Sequence, residues 1–301
     1  MRAHVELIQQ SDLCWHPAEL HGGTGRVMQR NLSYDEEDGS ASTKLFFETA
    51  WDRPGGYHEA DIEWFVLEGR VKMGDTIFGP GMYWRAPAGL KIPAIAVDKD
   101  SEILVFREYG DWGFTVSETD KSDFIAEGGN TGSDQPGQLT VVDSSKMEWM
   151  DNIYEGDTQR FLQLKILYHD PSPEGENEKG FITILGWAPP GWSDTRLIHH
   201  PVFEEAYTLT GYMDYNFGRF VPGTYFFRPA RVKHGHFVAG EEMGASWLFR
   251  LDGSLINWVT VNSQVIVKGD ALNYDPKTQA PLMAGIPVRS RSTGPWDLEG
   301  Q

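Results

Sequence analysis

Short runs of alternating apolar and polar residues recur along most of the chain. The first half contains KLFFETAW, IEWFVLEGRVKM and EILVFRE, and the second contains GFITILGW, EEAYTLTGYMDY and SWLFRLDG. Segments rich in glycine and proline separate these runs, and long amphipathic helical patterns are scarce. A period of two bounded by turns is typical of β-strands that present one face to a core. The pattern therefore predicts an all-β protein of small antiparallel barrels or jelly rolls.

The pattern of the first half is repeated in the second half. The ordered blocks 5–15, 22–34, 50–56 and 58–92 align with 139–149, 156–168, 186–192 and 200–234. The last pair runs without a gap at an offset of 142 residues. Repeated blocks in the same order indicate an internal duplication, and hence two barrels in tandem.

Composition sets the expected domain boundaries. Residues 127–138, EGGNTGSDQPGQ, have the composition of a linker. We expect residues 1–126 to form the first barrel and residues 139–262 the second. Residues 263–301 have no counterpart in the first half and read as a loop-rich tail.

Charge and cysteine content narrow the range of partners. The 44 acidic residues outnumber the 26 basic residues, which gives a net charge of -18 and disfavours nucleic acid and anionic lipid. The lone Cys14 agrees with a reducing compartment. No apolar stretch approaches the ~20 residues of a membrane span, and the start lacks the apolar core of a signal peptide. We expect a cytoplasmic protein with a small-molecule substrate, and a homodimer remains open.

Two histidines and a glutamate stand in a frame of glycine and proline in the second half. HPVFEEAYTLTGYM begins with His200 and places Glu204 four residues later, and GTYFFRPARVKHGHF contains His234. These segments resemble the two motifs of the cupin superfamily, with the spacing most similar to ChrR-type cupins. The resemblance covers roughly residues 5–115 and 139–255, and it implies two tandem cupin barrels of the jelly-roll (double-stranded β-helix) type.

The residue types in this frame suit one divalent metal per chain. Two imidazoles and a carboxylate can occupy one face of a metal and leave positions open, which suits Fe(II) and is acceptable to Zn, Mn, Ni or Co. The first histidine of the cupin motif falls at Ile198, so a fourth ligand is missing from its expected place. His199 is the first candidate to replace it, Asp194 and His236 are further ones, and a site with three ligands is equally open.

The first half lacks most of this ligand set. Ile62 and Ile92 occupy the positions of Glu204 and His234, and only His58 remains. We therefore expect the first barrel to be metal-free. Two alternatives stay open. One is a site made of His58, Asp61 and Glu63, although solvated carboxylates at a strand end are favoured; the other is a small-molecule pocket lined by Trp64, Trp84 and Arg85, although core packing is favoured.

A site with open positions can bind a substrate and oxygen together. The sequence favours a non-haem Fe(II) dioxygenase-like oxidoreductase acting on a small aromatic or dicarbonyl compound. Tyr207, His236 and Arg250 are the candidates for orienting that substrate. A redox-neutral lyase or isomerase and a small-molecule sensor or binding protein are the alternatives.

Overall fold

A computed structural model describes residues 2–117, 124–127, 138–152, 162–170, 180–253 and 255–259, with only the backbone at 124–127. These residues form strands together with two short 3-10 helices, Gln10–Asp12 and Ser144–Lys146. The strands are β1 (Val5–Gln9), β2 (His16–Ala18), β3 (Val27–Tyr34), β4 (Ala41–Phe47), β5 (Trp51–Arg53), β6 (Gly56–His58), β7 (Asp61–Glu68), β8 (Val71–Met73), β9 (Thr76–Phe78), β10 (Met82–Ala86), β11 (Lys91–Ile92), β12 (Ile95–Val97), β13 (Glu102–Glu108), β14 (Phe114–Val116), β15 (Phe124–Glu127), β16 (Leu139–Asp143), β17 (Met150–Asn152), β18 (Leu162–His169), β19 (Ile182–Ala188), β20 (Ser193–His199), β21 (Glu204–Gly211), β22 (Met213–Tyr215), β23 (Gly218–Phe220), β24 (Thr224–Arg228), β25 (His234–Ala239), β26 (Ala245–Leu251) and β27 (Trp258–Val259).

The chain folds into two compact units that have exchanged one strand. Of the described residues, Asp12–Glu148 belong to the first unit, and Ala3–Ser11 belong to the second unit together with those between Trp149 and Val259. Strand β1 therefore pairs with β24 in the second unit, and β16 pairs with β10 in the first. The prediction of an all-β fold with two duplicated barrels is confirmed. The expected boundaries differ at these two strands, while most of the 127–138 linker and the 263–301 tail lie outside the described residues.

The first unit is built around a sheet with the strand order β15-β16-β10-β7-β13-β4-β3-β2. Smaller sheets, β11-β6-β14 and β5-β12-β8-β9, complete it. Trp64 and Trp84 are register partners on β7 and β10, they are 1% and 0% exposed, and their ring centroids lie 5.2 Å apart. These two aromatic rings are core residues, as the sequence favoured.

The second unit combines the sheet β1-β24-β21-β26-β19-β18-β17 with the sheet β23-β22-β25-β20-β27. Its apolar core draws on both sheets, with Ala206, Phe226 and Phe249 from the first and Met213 and Phe220 from the second. No helix of the described residues is long and apolar enough to cross a membrane.

Candidate metal centre

His200, Glu204 and His234 converge in the second unit. Each offers a ligand atom, and the three atoms lie within 4.8 Å of one another. Oε2 of Glu204 is 3.7 Å from Nε2 of His200 and 3.3 Å from Nε2 of His234. Ligands that are about 2.1 Å from a metal at neighbouring corners of its coordination shell are about 3.0 to 3.4 Å apart, so the group is close to a ligating geometry. The three side chains can therefore hold a metal ion.

Backbone carbonyls orient both imidazoles. Nδ1 of His200 lies 3.1 Å from the carbonyl oxygen of Ile256, and Nδ1 of His234 lies 3.0 Å from that of Val232. A proton on each Nδ1 would satisfy these carbonyls and leave Nε2 as the ligand atom, which is how metal-binding histidines are usually held. Burial, followed by the charges of Arg228 and His200, lowers the pKa of His234 well below its usual value. His234 is thus kept neutral, as a metal ligand must be.

Strand pairing places a cation beside the carboxylate of this group. Glu204 begins β21 and is the register partner of Arg228, which ends β24. Side chains of directly opposed residues share a face of the sheet, and Nη1 of Arg228 donates to Oε2 of Glu204 at 2.9 Å. Arg228 was not a candidate in the sequence, because only the register between β21 and β24 shows it to be a neighbour of Glu204.

The N-terminal strand supplies the counter-charge of Arg228. Glu6 of β1 accepts from Nε of Arg228 at 2.6 Å and from Nη2 at 3.3 Å. It also accepts from the hydroxyl of Tyr215 at 2.5 Å, and Nε2 of His4 lies 3.1 Å away. All four of these side chains are at most 5% exposed. Burial acts to raise the pKa of Glu6, but the charge of Arg228 and the hydrogen bonds outweigh it and lower that pKa, so Glu6 is an anion.

A β-bulge follows Glu6 in β1. Val5 is opposite Phe227 and Ile8 is opposite Tyr225, so β1 contains one extra residue in this interval. Leu7 takes a left-handed conformation with φ 52°, as expected for an irregularity of this kind. Val5 and Ile8 therefore share one face, and Glu6 points to the face that carries Arg228.

The three candidate ligands line a largely apolar cavity of about 70 Å³. A cavity of this size accommodates a few water molecules or a small organic ligand. Its walls include aromatic and aliphatic side chains, among them Trp192, Met213, Phe220, Phe226, Phe237, Trp247 and Phe249. Asn152, Thr208, Arg228 and Asn257 are further polar residues of the wall, and Oδ1 of Asn257 is buried without a hydrogen-bond partner among the described residues. No sequence signal marked Asn257, which lies in the short described segment at 255–259.

None of the candidates for a fourth ligand joins the group. His199 packs its ring against Trp258 at 5.2 Å, because adjacent residues of β20 point to opposite sides and Ile198 takes the cavity side. Asp194 is paired with Arg196 at 2.6 Å. His236 adopts φ 55° and lies outside the cavity wall. Within the part of the chain that the structure describes, the group has three members.

Tyr207 and Arg250 do not face the cavity. On β21 the cavity residues are Glu204, Ala206 and Thr208, so Tyr207 points the other way and donates to Oε1 of Gln10 at 2.8 Å. On β26 the cavity residues are likewise alternate ones, Trp247 and Phe249 among them, and Arg250 pairs with the buried Glu205 at 2.5 Å. The prediction that these two side chains orient a substrate does not fit the observed register. His236 also lies outside the cavity wall, whereas Arg228 and Asn257 line it.

The first unit has no comparable group among its described residues. Ile62 and Ile92 are fully buried apolar residues, and His58 lies 3.0 Å from Nη2 of Arg53. Asp61 pairs with Arg85 at 2.7 Å, and Glu63 accepts from the Tyr83 hydroxyl at 2.8 Å. The alternative site of His58, Asp61 and Glu63 is therefore not assembled.

Known structures share this architecture. A protein from Nostoc punctiforme described as a candidate dioxygenase is 18% identical over 85% of this chain and 86% of its own, with a TM-score of 0.69. Ylba from E. coli is 14% identical over 82% of this chain and 93% of its own, with a TM-score of 0.50. The oxalate decarboxylase of Lactobacillus farciminis, in a formate complex, is 14% identical over 94% and 96% of the two chains, with a TM-score of 0.51. At these identities the likeness shows the fold.

The likeness to these structures supports a fold of two tandem jelly-roll barrels. A family profile described as a domain of unknown function, DUF4437, matches residues 6–258. The chain therefore belongs to the DUF4437 family. No curated protein sequence matches it.

Proposed function

We propose that this protein is a metal-dependent enzyme that acts on a small organic molecule, with Fe(II) as its metal and oxygen as its co-substrate. The observation that carries the proposal is the His200, Glu204 and His234 group at the wall of an apolar cavity. Three ligands on one side of a metal leave positions for both substrate and oxygen. The description of the Nostoc punctiforme protein as a candidate dioxygenase agrees with it, although that likeness extends to the fold alone.

The chain's own residues would bind and orient the substrate. Arg228 uses one N–H on each of its three nitrogens for Glu6 and Glu204, and a further N–H of this guanidinium would donate to a ligand in the cavity that Arg228 lines. Oδ1 of Asn257 offers an acceptor on the same wall. Stacking of the Arg228 guanidinium over Phe226, at 3.5 Å from the ring centroid, fixes the direction of those donors. The bound metal would supply Lewis acidity and a site for oxygen.

The charges of the site favour an anionic substrate. With a divalent cation added, one positive guanidinium and the carboxylates of Glu6 and Glu204 leave a net charge of about +1 in a cavity with apolar walls. Tyr215 does not change this sum, because burial and the charge of Glu6 raise its pKa well above the usual value. An enolised dicarbonyl or a small aromatic acid, which carries one negative charge and an apolar body, matches this environment.

The proposal is tested by oxygen uptake. Protein loaded anaerobically with Fe(II) is mixed with a panel of small dicarbonyl compounds and aromatic acids, and the His234→Ala variant serves as the control. We expect substrate-dependent oxygen consumption in the wild-type protein and none in the variant. Turnover that proceeds equally well without oxygen would contradict the oxidoreductase proposal.

A redox-neutral lyase or isomerase with Zn, Mn or Ni is the second candidate. It is favoured by Arg228, because a guanidinium with unused donors beside a Lewis acid can stabilise a carbanion or enolate without any oxidant. Anaerobic turnover with a redox-inactive metal would support this candidate. Tight ligand binding without turnover under any of these conditions would instead support a small-molecule sensor.

A further inference from the structure

Arg53 of the first barrel is a buried cation that has no carboxylate partner among the residues that the structure describes. Arg53 ends β5 and is 3% exposed. Nη2 of Arg53 lies 3.0 Å from Nε2 of His58, and its Nε has no partner among the described residues. The neighbouring Asp52 is bonded instead to Thr24. Burial lowers the pKa of Arg53 to about 9, which still leaves it charged at neutral pH. An unpaired buried charge is costly, so an arrangement of this kind calls for an anion.

His58 adds a second donor to this cation. A guanidinium only donates, so Nε2 of His58 must accept from Arg53 and its proton must lie on Nδ1. Burial, followed by the charges of Arg53 and Arg107, lowers the pKa of His58 well below its usual value and keeps it neutral. In the described part of the chain, Arg53 and His58 make no side-chain hydrogen bond other than the one between them. The pair therefore offers several N–H groups that lack an acceptor among the described residues.

Aromatic rings hold the pair in place. The guanidinium carbon of Arg53 lies 3.6 Å from the ring centroid of Phe114 and 5.4 Å from that of Trp51. The ring of His58 meets the same Phe114 edge to face at 5.0 Å. A stacked guanidinium is fixed in its plane and presents its N–H groups at its edge. The donors are thus preorganised by apolar walls rather than by other charges.

The geometry points to a binding site for a small monocarboxylate in the first barrel, held by Arg53 and His58. The two oxygens of a carboxylate match the paired donors of a guanidinium edge. One fixed charge between aromatic walls favours a monoanion over a dianion such as sulfate, whose desolvation costs more. The gap-free alignment makes His58 the counterpart of His200. Equivalent histidines would therefore contact the Arg53 guanidinium in the first barrel and a metal ion in the second.

Thermal unfolding with acetate tests this site. The wild-type protein is first freed of metal by a chelator that is then dialysed away, so that acetate cannot bind a metal in the second barrel. Acetate in large excess should raise the melting temperature by about 2 °C or more beyond the general salt effect, which sulfate at the same ionic strength measures. The His234→Ala variant, altered only in the second barrel, should respond to acetate as the wild-type protein does.

Variants of Arg53 distinguish a binding site from a packing contact. Arg53→Met keeps the length of the side chain and removes the charge, so it should abolish the response to acetate. Arg53→Lys keeps the charge without the paired donors, so it should raise the acetate dissociation constant about tenfold or more. No response in the wild-type protein, or an undiminished response in Arg53→Met or in Arg53→Lys, would overturn the proposal.

Discussion

Replacing Glu6 with glutamine should disturb both the stability of the second barrel and its metal site. The Glu6 carboxylate accepts two hydrogen bonds from Arg228, at 2.6 and 3.3 Å, and one from Tyr215 at 2.5 Å. Glutamine keeps one acceptor oxygen but turns an NH2 group toward these donors and leaves Arg228 without its main counter-charge. Breaking a buried ion pair on one side costs about 3 to 5 kcal/mol, which is a large share of a typical unfolding free energy of about 5 to 15 kcal/mol.

The same substitution should weaken metal binding through Arg228. Once Glu6 is neutral, the guanidinium is balanced only by Glu204, whose Oε2 it already contacts at 2.9 Å. That oxygen is also the candidate ligand atom, so Arg228 and the metal would compete for it. Loss of a group that supports a metal ligand typically lowers metal affinity by about 10- to 100-fold.

Two assays separate these effects. Urea unfolding of Glu6→Gln gives the change in stability, and titration with Mn(II) or Zn(II) gives the metal affinity of the folded protein. Glu242→Gln, which removes one exposed carboxylate from the same unit, is the matched control. If Glu6→Gln unfolds at the wild-type urea concentration, the buried network contributes no stability. If it loses stability but binds metal as tightly as the wild-type protein, the coupling through Arg228 is wrong.

Three further predictions follow from particular contacts. Folding lowers the pKa of Glu6. The ionised Glu6 therefore stabilises the folded protein above its unfolded pKa of about 4.3, and this stabilisation is lost as the pH falls toward the lower folded pKa. The stability of Glu6→Gln, measured by acid unfolding, should therefore depend less on pH than that of the wild-type protein. Gly235→Ala should lower the free energy of unfolding by about 2 kcal/mol or more and reduce the metal content. Gly235 has a φ of 150°, and an added Cβ would lie 2.0 Å from the carbonyl oxygen of Arg196, next to the candidate ligand His234. Urea unfolding and elemental analysis would measure the two effects. Tyr207→Phe should leave kcat/KM within about twofold of the wild-type value and lower the free energy of unfolding by about 1 kcal/mol, because the Tyr207 hydroxyl donates to Gln10 on the side away from the cavity. A large loss of activity in this variant would show that Tyr207 contacts the substrate.

The barrels and the core of the site could be predicted from the sequence. Alternating apolar residues and the ordered repeat indicate two jelly rolls, and the spacing of His200, Glu204 and His234 indicates their convergence. The strand exchange could not be predicted, because β1 and β16 are themselves counterparts in the repeat, and so are their partners β24 and β10. Either strand matches either barrel by its residues, and only the tertiary structure distinguishes the two pairings.

The sequence predicted less well which side chains point into the cavity. Tyr207 is three residues from Glu204, and an odd spacing on one strand means opposite faces, so this candidate could have been rejected. The direction of Arg250 required the register between β26 and its neighbours. Arg228 and Glu6 required more still, since they meet through the pairing of β1 with β24, which no local pattern encodes.

A single metal centre in the second barrel can be tested by elemental analysis. Protein purified without added metal or chelator is measured by mass spectrometry of its metals, alongside His234→Ala and Ile92→Val as a conservative control at the equivalent position of the first barrel. We predict about one divalent metal per chain in the wild-type protein and in Ile92→Val, and close to none in His234→Ala. No metal in the wild-type protein, two metals per chain, or full retention in His234→Ala would contradict the account.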